Sequence, residues 1–471
     1  MSLSPAGAGT WAELRARYLG ISSVISGGVL MVALNIYVVA SLLPTAIAEI
    51  GGEELYAWST SLYVVTMVIG STLVSACRAR WGGAGAYRIA LGGFALGSVI
   101  CGLAPVMPVL LVGRVLQGFG GGLLHGLAFV MVQRALPERL WSRGMVLISS
   151  MFAAGNFVGP GVGGVFAQFT SWRYAFAVLT LAAVLIAFAV GRAVPGGDRS
   201  RAAAPVPATS VLVAAVTAAI SVAGIVPPGW PMTALLLGGI VLLAAFLAAE
   251  RRARARILST LVFVAHNPLK WLYLTTATLA FAIGTESFLP LFGQRLGGMP
   301  PVIAGFFGAA LALGWTLVQL FTGSARRLGV IRLLKLFGPM VLAVGLALFG
   351  LLLRDAPPTW LMIVWVATLL IAGSGIAMAM PHLGAATMAV TSDPDEATKA
   401  SAGIATVLNI GNAFGAAFAG VLVNLGAPST LASARYLFLT FALVCALGTV
   451  TAALAGRDPA PRPNTGKVHG E

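Results

Sequence analysis

Apolar residues along this chain come in blocks of 17 to 27, parted by short segments that gather almost all of the charge. A helix crosses a hydrocarbon layer with about 20 predominantly apolar residues, so each block is close to the length of one transmembrane span. Fourteen blocks can be placed, at residues 19–45, 55–77, 88–104, 109–133, 144–169, 174–192, 209–226, 231–249, 270–292, 301–322, 333–353, 359–385, 400–425 and 432–456. The first begins near Leu19 and stays uncharged to Glu49. That is longer than the core of a cleavable signal peptide and carries no convincing cleavage site, so the pattern predicts a retained first span.

Composition narrows the class further. Of 471 residues 58% are hydrophobic and 9% charged, against about 45–50% and about 25% in a soluble domain. The chain is therefore expected to be an all-α polytopic membrane protein with no large soluble domain. The net charge of +15 would suit a nucleic-acid binder, but cytoplasmic Lys and Arg make many membrane proteins basic. With the N-terminus inside, the cytoplasmic segments hold 24 of the 29 Lys and Arg, and the outer loops hold only Arg173, Arg295, Arg354 and Arg435. This asymmetry places both termini in the cytoplasm and predicts no nucleic-acid partner. The Arg251, Arg252, Arg254 and Arg256 cluster reads as a topology anchor that could touch anionic headgroups. Cys77, Cys101 and Cys445 lie in or beside apolar runs without paired spacing, which argues against disulfides and thiolate metal sites.

An internal repeat organises the spans. Gly155-Asn156-Phe157-Val158-Gly159-Pro160-Gly161-Val162-Gly163-Gly164 aligns with Gly411-Asn412-Ala413-Phe414-Gly415-Ala416-Ala417-Phe418-Ala419-Gly420 at an offset of 256. The segments from Ala79 and Arg326 pair at 247, and those from Ala40 and Glu286 at 246. Spans one to six thus repeat as nine to fourteen. The expected division is an N-terminal tail 1–18, a six-helix bundle 19–192, a linker 193–269 with two inserted helices, a second bundle 270–456 and a C-terminal tail 457–471. Parallel six-helix halves with a site between them describe an alternating-access carrier.

The chain at this point resembles the major facilitator superfamily, and its layout is similar to the 14-span drug:proton antiporter branch. Gly155 to Gly164 is similar to the antiporter motif on the fifth span, G-x-x-x-G-P-x-x-G-G. Leu111 to Gly118, with Arg114, Gln117 and Gly118, is similar to R-x-x-Q-G on the fourth. Leu34 to Pro44 resembles the first-span motif, with Asn35 where Asp is usual. The loop motif G-x-x-x-D-R-x-G-R survives as Arg80 and Gly82, with Ser75 and Ala79 in the Gly and Asp places. The resemblance implies a multi-pass protein of a bacterial cytoplasmic membrane, acting as a monomer on a small lipophilic substrate, with protons and membrane lipids as its other partners.

Individual residues carry the chemistry. Gly155, Gly159 and Gly163 place three hydrogens on one helix face, so a neighbouring helix can approach closely; Pro160 permits a bend. Ionisable groups at membrane depth are functional candidates by default. Of the 14 acids only Glu286 falls inside a span, 16 residues after Lys270, or about 24 Å along a helix. Pro290 cannot donate to the Glu286 carbonyl, which leaves a polar backbone break beside the carboxyl. Glu286 is expected to exchange a proton or pair with a cationic substrate; the bland alternative is a wetted surface carboxyl. Arg114 needs a partner, and Asn35 or Gln117 could supply one, as a structural clasp or as part of a proton relay. Tyr37, His125, Phe281, Phe288, Gln319, His382 and Asn412 are candidate cavity residues, with packing as the alternative for each. Asn156 belongs to the antiporter motif and is a further candidate.

No P-loop, metal cluster or nucleophile-base pair is visible, so neither cofactor nor enzymatic activity is expected. The leading reading is proton-coupled export of amphipathic or cationic lipophilic compounds, of the multidrug-efflux type. A lipid or natural-product exporter of the same fold, and a non-transporting membrane sensor or scaffold, remain open.

Overall fold

The structure is a computed structural model that describes residues 11–193, 209–224, 226–253, 258–322, 325, 327–388, 390–391 and 394–456. Both predicted tails, beyond Trp11 and Gly456, lie wholly or mostly outside the described residues, as do Arg254, Arg256 and Arg326.

All regular structure in the described residues is helical. The elements are α1 (Trp11–Ile50), α2 (Tyr56–Thr72), α3 (Val74–Gly102), α4 (Met107–Ala135), α5 (Glu138–Phe169), α6 (Arg173–Ala193), α7 (Thr209–Ala223) and α8 (Trp230–Arg252). They continue with α9 (Leu269–Ile283), α10 (Leu289–Arg295), α11 (Pro301–Gly308), α12 (Ala310–Thr322), α13 (Leu328–Leu352), α14 (Thr359–Met388), α15 (Pro394–Leu425) and α16 (Thr430–Ala455). Proline opens α4, α8, α10 and α11, where its missing N–H costs no helix bond. Gly51 and Gly52, at φ 72° and 84°, turn the chain from α1 into α2.

Among the described residues nine helices are long and apolar enough to cross a membrane, or ten if the pair α11 and α12, bent by 44°, is one span. Each of the fourteen apolar blocks nevertheless carries a helix or a broken helix. The second and third blocks were expected to part between residues 78 and 87, and the backbone leaves the helical conformation there, at Gly82 with φ 72°, while a second, slighter break falls at Leu73. The ninth block is broken by a 3-10 turn at Gly284–Phe288, which holds Glu286 as the expected backbone break beside that carboxyl requires, so α9 and α10 are separate pieces of one rod.

Helices α1 to α6 pack on one another, chiefly α1 on α5, α3 on α4 and α6, and α2 on α4. Helices α9 to α16 form a second group through α13 on α14 and α16, α12 on α14, and α9 on α15 and α16. The pair α7 and α8 stands apart, with α7 laid along the seam where α2 meets α15. Trp172 and Phe176 fill the first group; Trp365, Phe349, Phe438 and Phe441 fill the second. Large apolar side chains such as Leu185, Phe188, Ile240, Phe321 and Leu443 stay exposed around the outside, as a surface facing lipid rather than water would have them.

Candidate functional site

The two groups meet along α1, α2 and α5 on one side and the turn Gly284–Phe288, α10 to α12 and α15 on the other. Glycine makes that approach possible. A methyl on Gly159 would lie 2.6 Å from Tyr37 Cβ, and one on Gly163 2.5 Å from the Val38 carbonyl oxygen, so the predicted glycine face lies flat on α1. Gly155 meets Ala33 on the same face, while Gly164 turns the other way, against Val302 of α11. The Pro160 carbonyl accepts a hydrogen bond from Ser41 Oγ at 3.3 Å, a further tie between α5 and α1. The second copy repeats the arrangement: Gly411 and Gly415 press on Ala277 and Phe281 of α9.

Glu286 sits on this seam. The turn that breaks the ninth block carries it, and Gly284, at the start of that turn, lies against the backbone of Gly415 and Ala416. Its carboxyl is buried, at 8% exposure. Tyr37 Oη from α1 donates to Oε2 at 3.5 Å, and Oε1 makes no hydrogen bond. Tyr56 Oη donates to the Ser287 carbonyl at 3.0 Å, and its ring lies 5.3 Å from that of Phe288. One carboxyl, in a break of the second group, is thus held by a tyrosine of the first. Beyond it Phe281 stacks on Phe441 at 4.4 Å, inside the second group, while Phe288 continues through Phe292 to Phe438 and also meets Tyr56 of the first group.

Nearer the α1–α2 turn, a cavity of about 360 Å³ is lined by Tyr56, Phe288, Glu53, Glu54, Arg295 and Asn424 among others. Arg295 Nη2 bridges to Glu53 Oε1 at 2.6 Å, a second tie between the groups. On the opposite side of the seam a groove of about 730 Å³, lined by Phe157, Met299, Phe306, Leu313, Met362 and Leu370 among others, opens on the outer surface.

The remaining candidates are scattered. Asn156 Nδ2 reaches Thr316 Oγ1 at 3.5 Å across the seam. His382 donates from Nε2 to the Thr322 carbonyl at 3.1 Å, which ties α14 to α12. His125 lies edge-on to Phe129 and Phe152, at 5.2 and 5.5 Å. Gln319 is exposed and Asn412 half-buried. Arg80 stacks on Trp81, and Gly82 forms the kink of α3.

Of the two partners expected for Arg114, Gln117 is one: Nη1 donates to its Oε1 at 2.8 Å. Asn35 is not, and its polar atoms make no hydrogen bond among the described residues within ordinary distance. Arg114 Nε donates to the Ser59 carbonyl at 3.0 Å, with the guanidinium 4.2 Å from the Tyr63 ring centre, so helix α2 supplies what was sought on α1. Sequence reasoning missed Tyr56, Ser59 and Tyr63, whose only signal is a polar group every three or four residues along one face of an apolar run.

Similarity to known proteins accords with this geometry. The profile of the Major Facilitator Superfamily matches residues 25–191. A probable multidrug-efflux transporter of Mycobacterium tuberculosis is 42% identical over 451 residues, 94% of this chain and 95% of the relative. Multidrug resistance protein 3 of Bacillus subtilis is 23% identical over 372 residues, 77% of this chain and 71% of that protein. Among solved structures, the fold matches a peptide transporter POT in complex with sulfate, with a TM-score of 0.68 at 16% identity and 96% of each chain covered. It also matches a D-xylose-proton symporter, at 0.67 and 15%, with 94% and 98% covered. Identity of that extent to a full-length transporter, on a helical fold shared with solved transporters, makes this chain a member of the Major Facilitator Superfamily.

Proposed function

We propose that this protein is a secondary active transporter that exports amphipathic or cationic lipophilic compounds by proton antiport. Its similarity to multidrug-efflux proteins supports the substrate class. The observation that carries the mechanism is Glu286: a buried carboxyl in a helix break of one six-helix half, with one oxygen free and the other on Tyr37 of the opposite half. A buried carboxylate is strongly disfavoured unless it is paired. Glu286 therefore accepts either a proton or a cation, and either event changes the tie that joins the halves.

Alternating access follows when the halves rock about the seam while the glycine face of Gly155, Gly159 and Gly163 stays on α1. The proposal includes fourteen spans in a cytoplasmic membrane, both termini inside, and halves at 19–192 and 270–456 joined by the inserted pair. It also includes a monomer as the working unit. In this orientation the α1–α2 turn, Glu53 and Arg295 face outward, and Arg80 and Gly82 face the cytoplasm.

The test is efflux of a panel of lipophilic cations from proteoliposomes, with and without an imposed pH gradient, for the native protein and Glu286→Gln. Gradient-driven flux that falls at least tenfold in the variant is expected. Flux that persists unchanged in Glu286→Gln removes this carboxyl from the coupling. A second reading, export of a lipid or lipid-like compound, is favoured by the apolar groove at the seam, because such a substrate can leave sideways into the bilayer. Flux that ignores the pH gradient and is confined to long-chain amphiphiles would select it.

A further inference from the structure

The first six-helix group holds a buried charge that the proposed transport step does not use. Arg114 on α4 is 2% exposed. Its hydrogen-bond acceptors, the Ser59 carbonyl and Gln117 Oε1, are neutral, and Nη2 makes no hydrogen bond among the described residues. Gln117 is committed in turn, donating from Nε2 to Ser98 Oγ at 2.8 Å. The ionisable side chains close enough to act on the guanidinium are Cys101 and Tyr63, both uncharged at neutral pH; no carboxylate is among them. An arginine keeps its charge at any physiological pH, so this is a buried cation without a counter-charge, a costly arrangement.

The groups around it leave donors over. Asn35, fully buried, has the Tyr63 hydroxyl as the group placed to accept from its Nδ2, which leaves the phenol O–H free to donate; Ser59 Oγ, also buried, makes no hydrogen bond among the described residues. The Tyr63 hydroxyl faces the Asn35 side chain, and its ring lies under the guanidinium. Ser59 and Tyr63 are four residues apart on α2 and so share a face. The guanidinium Nη2, the phenol and the serine hydroxyl can each still donate, and unsatisfied buried donors in a native protein call for an explanation such as a bound ion. A water molecule would satisfy hydrogen bonds but leave the charge uncompensated.

We propose that Arg114, Asn35, Tyr63 and Ser59 bind one small monovalent anion, chloride or the carboxylate of a compound in transit, which supplies the counter-charge of this half. Ser59 is the fourth residue of α2 and Arg114 the eighth of α4, and both helices start at the Glu53 end. The site therefore lies within about 10 Å of that surface along the helices, close enough for a small ion to reach it when the halves part there.

The test reads thermal unfolding of the purified full-length protein in detergent, with neither substrate nor gradient, so its outcome is separate from that of the efflux assay. In chloride the midpoint is expected about 3 °C above that in gluconate at equal ionic strength, once chloride is in large excess over its Kd. Asn35→Asp builds a carboxylate into the site: its midpoint in gluconate rises toward the chloride value, and chloride no longer shifts it. Arg114→Gln also loses the shift; if that variant does not fold, Asn35→Asp decides alone. Acetate in a third buffer separates the sources, because a shift with acetate and none with chloride assigns the site to a carboxylate. Equal midpoints of the native protein in all three salts overturn the proposal, as does an undiminished chloride shift in Asn35→Asp.

Discussion

Tyr37 and Glu286 are 249 positions apart, and among the described residues the hydroxyl of one is the only hydrogen-bond partner of the other's carboxyl. A bond at 3.5 Å is at the long limit of geometry, so the tie is weak and easily exchanged for a proton or a cation. Tyr37→Phe keeps the ring and removes only that donor. Its expected cost is about 1 kcal/mol, roughly fivefold, on the step in which the bond is made, measured as the initial rate of gradient-driven efflux. A loss as complete as that of Glu286→Gln would mean that the phenol itself passes the proton. At this scale the sequence was informative about charge and silent about partners. Glu286 was visible as the one acid inside an apolar run, because no other acid there needs explaining. The neighbours of Arg114 were not: Tyr63 reads as one more aromatic in an apolar block, and nothing in linear order sets α2 rather than α1 against α4.

Helices were legible where an unbroken apolar run ends in charge or glycine, as with α8, α13 and α16. The breaks were legible in place but not in form. A parting was expected between residues 78 and 87, and it is made by a single residue, Gly82 at positive φ, with helix on both sides of it rather than a loop. The break beside the Glu286 carboxyl was read from Pro290; the turn also takes in Gly284, where a close approach to Gly415 and Ala416 leaves no room for a side chain. The same closeness makes a prediction for the glycine face of α5. Gly163→Leu drives a branched side chain into the Val38 backbone and is expected to destabilise by about 1–3 kcal/mol as overpacking does, lowering the unfolding midpoint. Gly161→Leu, whose nearest neighbour is the Phe306 ring edge at 3.5 Å, should cost less. Equal effects would show that the α1–α5 contact is loose enough to take a side chain at Gly163. Helix α7 fits the same logic of seams. Asn424 Nδ2 donates to the Val226 carbonyl at 3.0 Å, and Ala223, Met232 and Val421 pack together, so the inserted pair covers the α2–α15 side while the apolar groove lies across the molecule from it.

For the whole molecule, charge at depth sets how the proposed antiport responds to its two driving forces. The buried carboxyl and guanidinium side chains among the described residues are Arg114, Glu250 and Glu286. Glu250 lies near the end of α8 and accepts from the Leu258 N–H at 2.7 Å, away from the seam. Arg114 does not give up its proton. On the proposed antiport Glu286 is then the carboxyl that carries a proton between the halves, which predicts one proton per cycle. Exchange of that proton for a monovalent cation moves no net charge, and its rate should follow the pH gradient while ignoring the membrane potential. A divalent cation exchanged for the same single proton moves one charge outward. Since 100 mV acts on one charge with about 2.3 kcal/mol, its limiting accumulation ratio should change by roughly fiftyfold when the potential is switched by that amount. The measurement is efflux from proteoliposomes with the potential clamped by potassium and valinomycin at a constant pH gradient, one monocation and one dication compared. Equal sensitivity of the two to potential would require a second titrating group in the cycle. A monocation indifferent to potential beside a responsive dication would fix the count at one and leave Glu286 as the group that carries it.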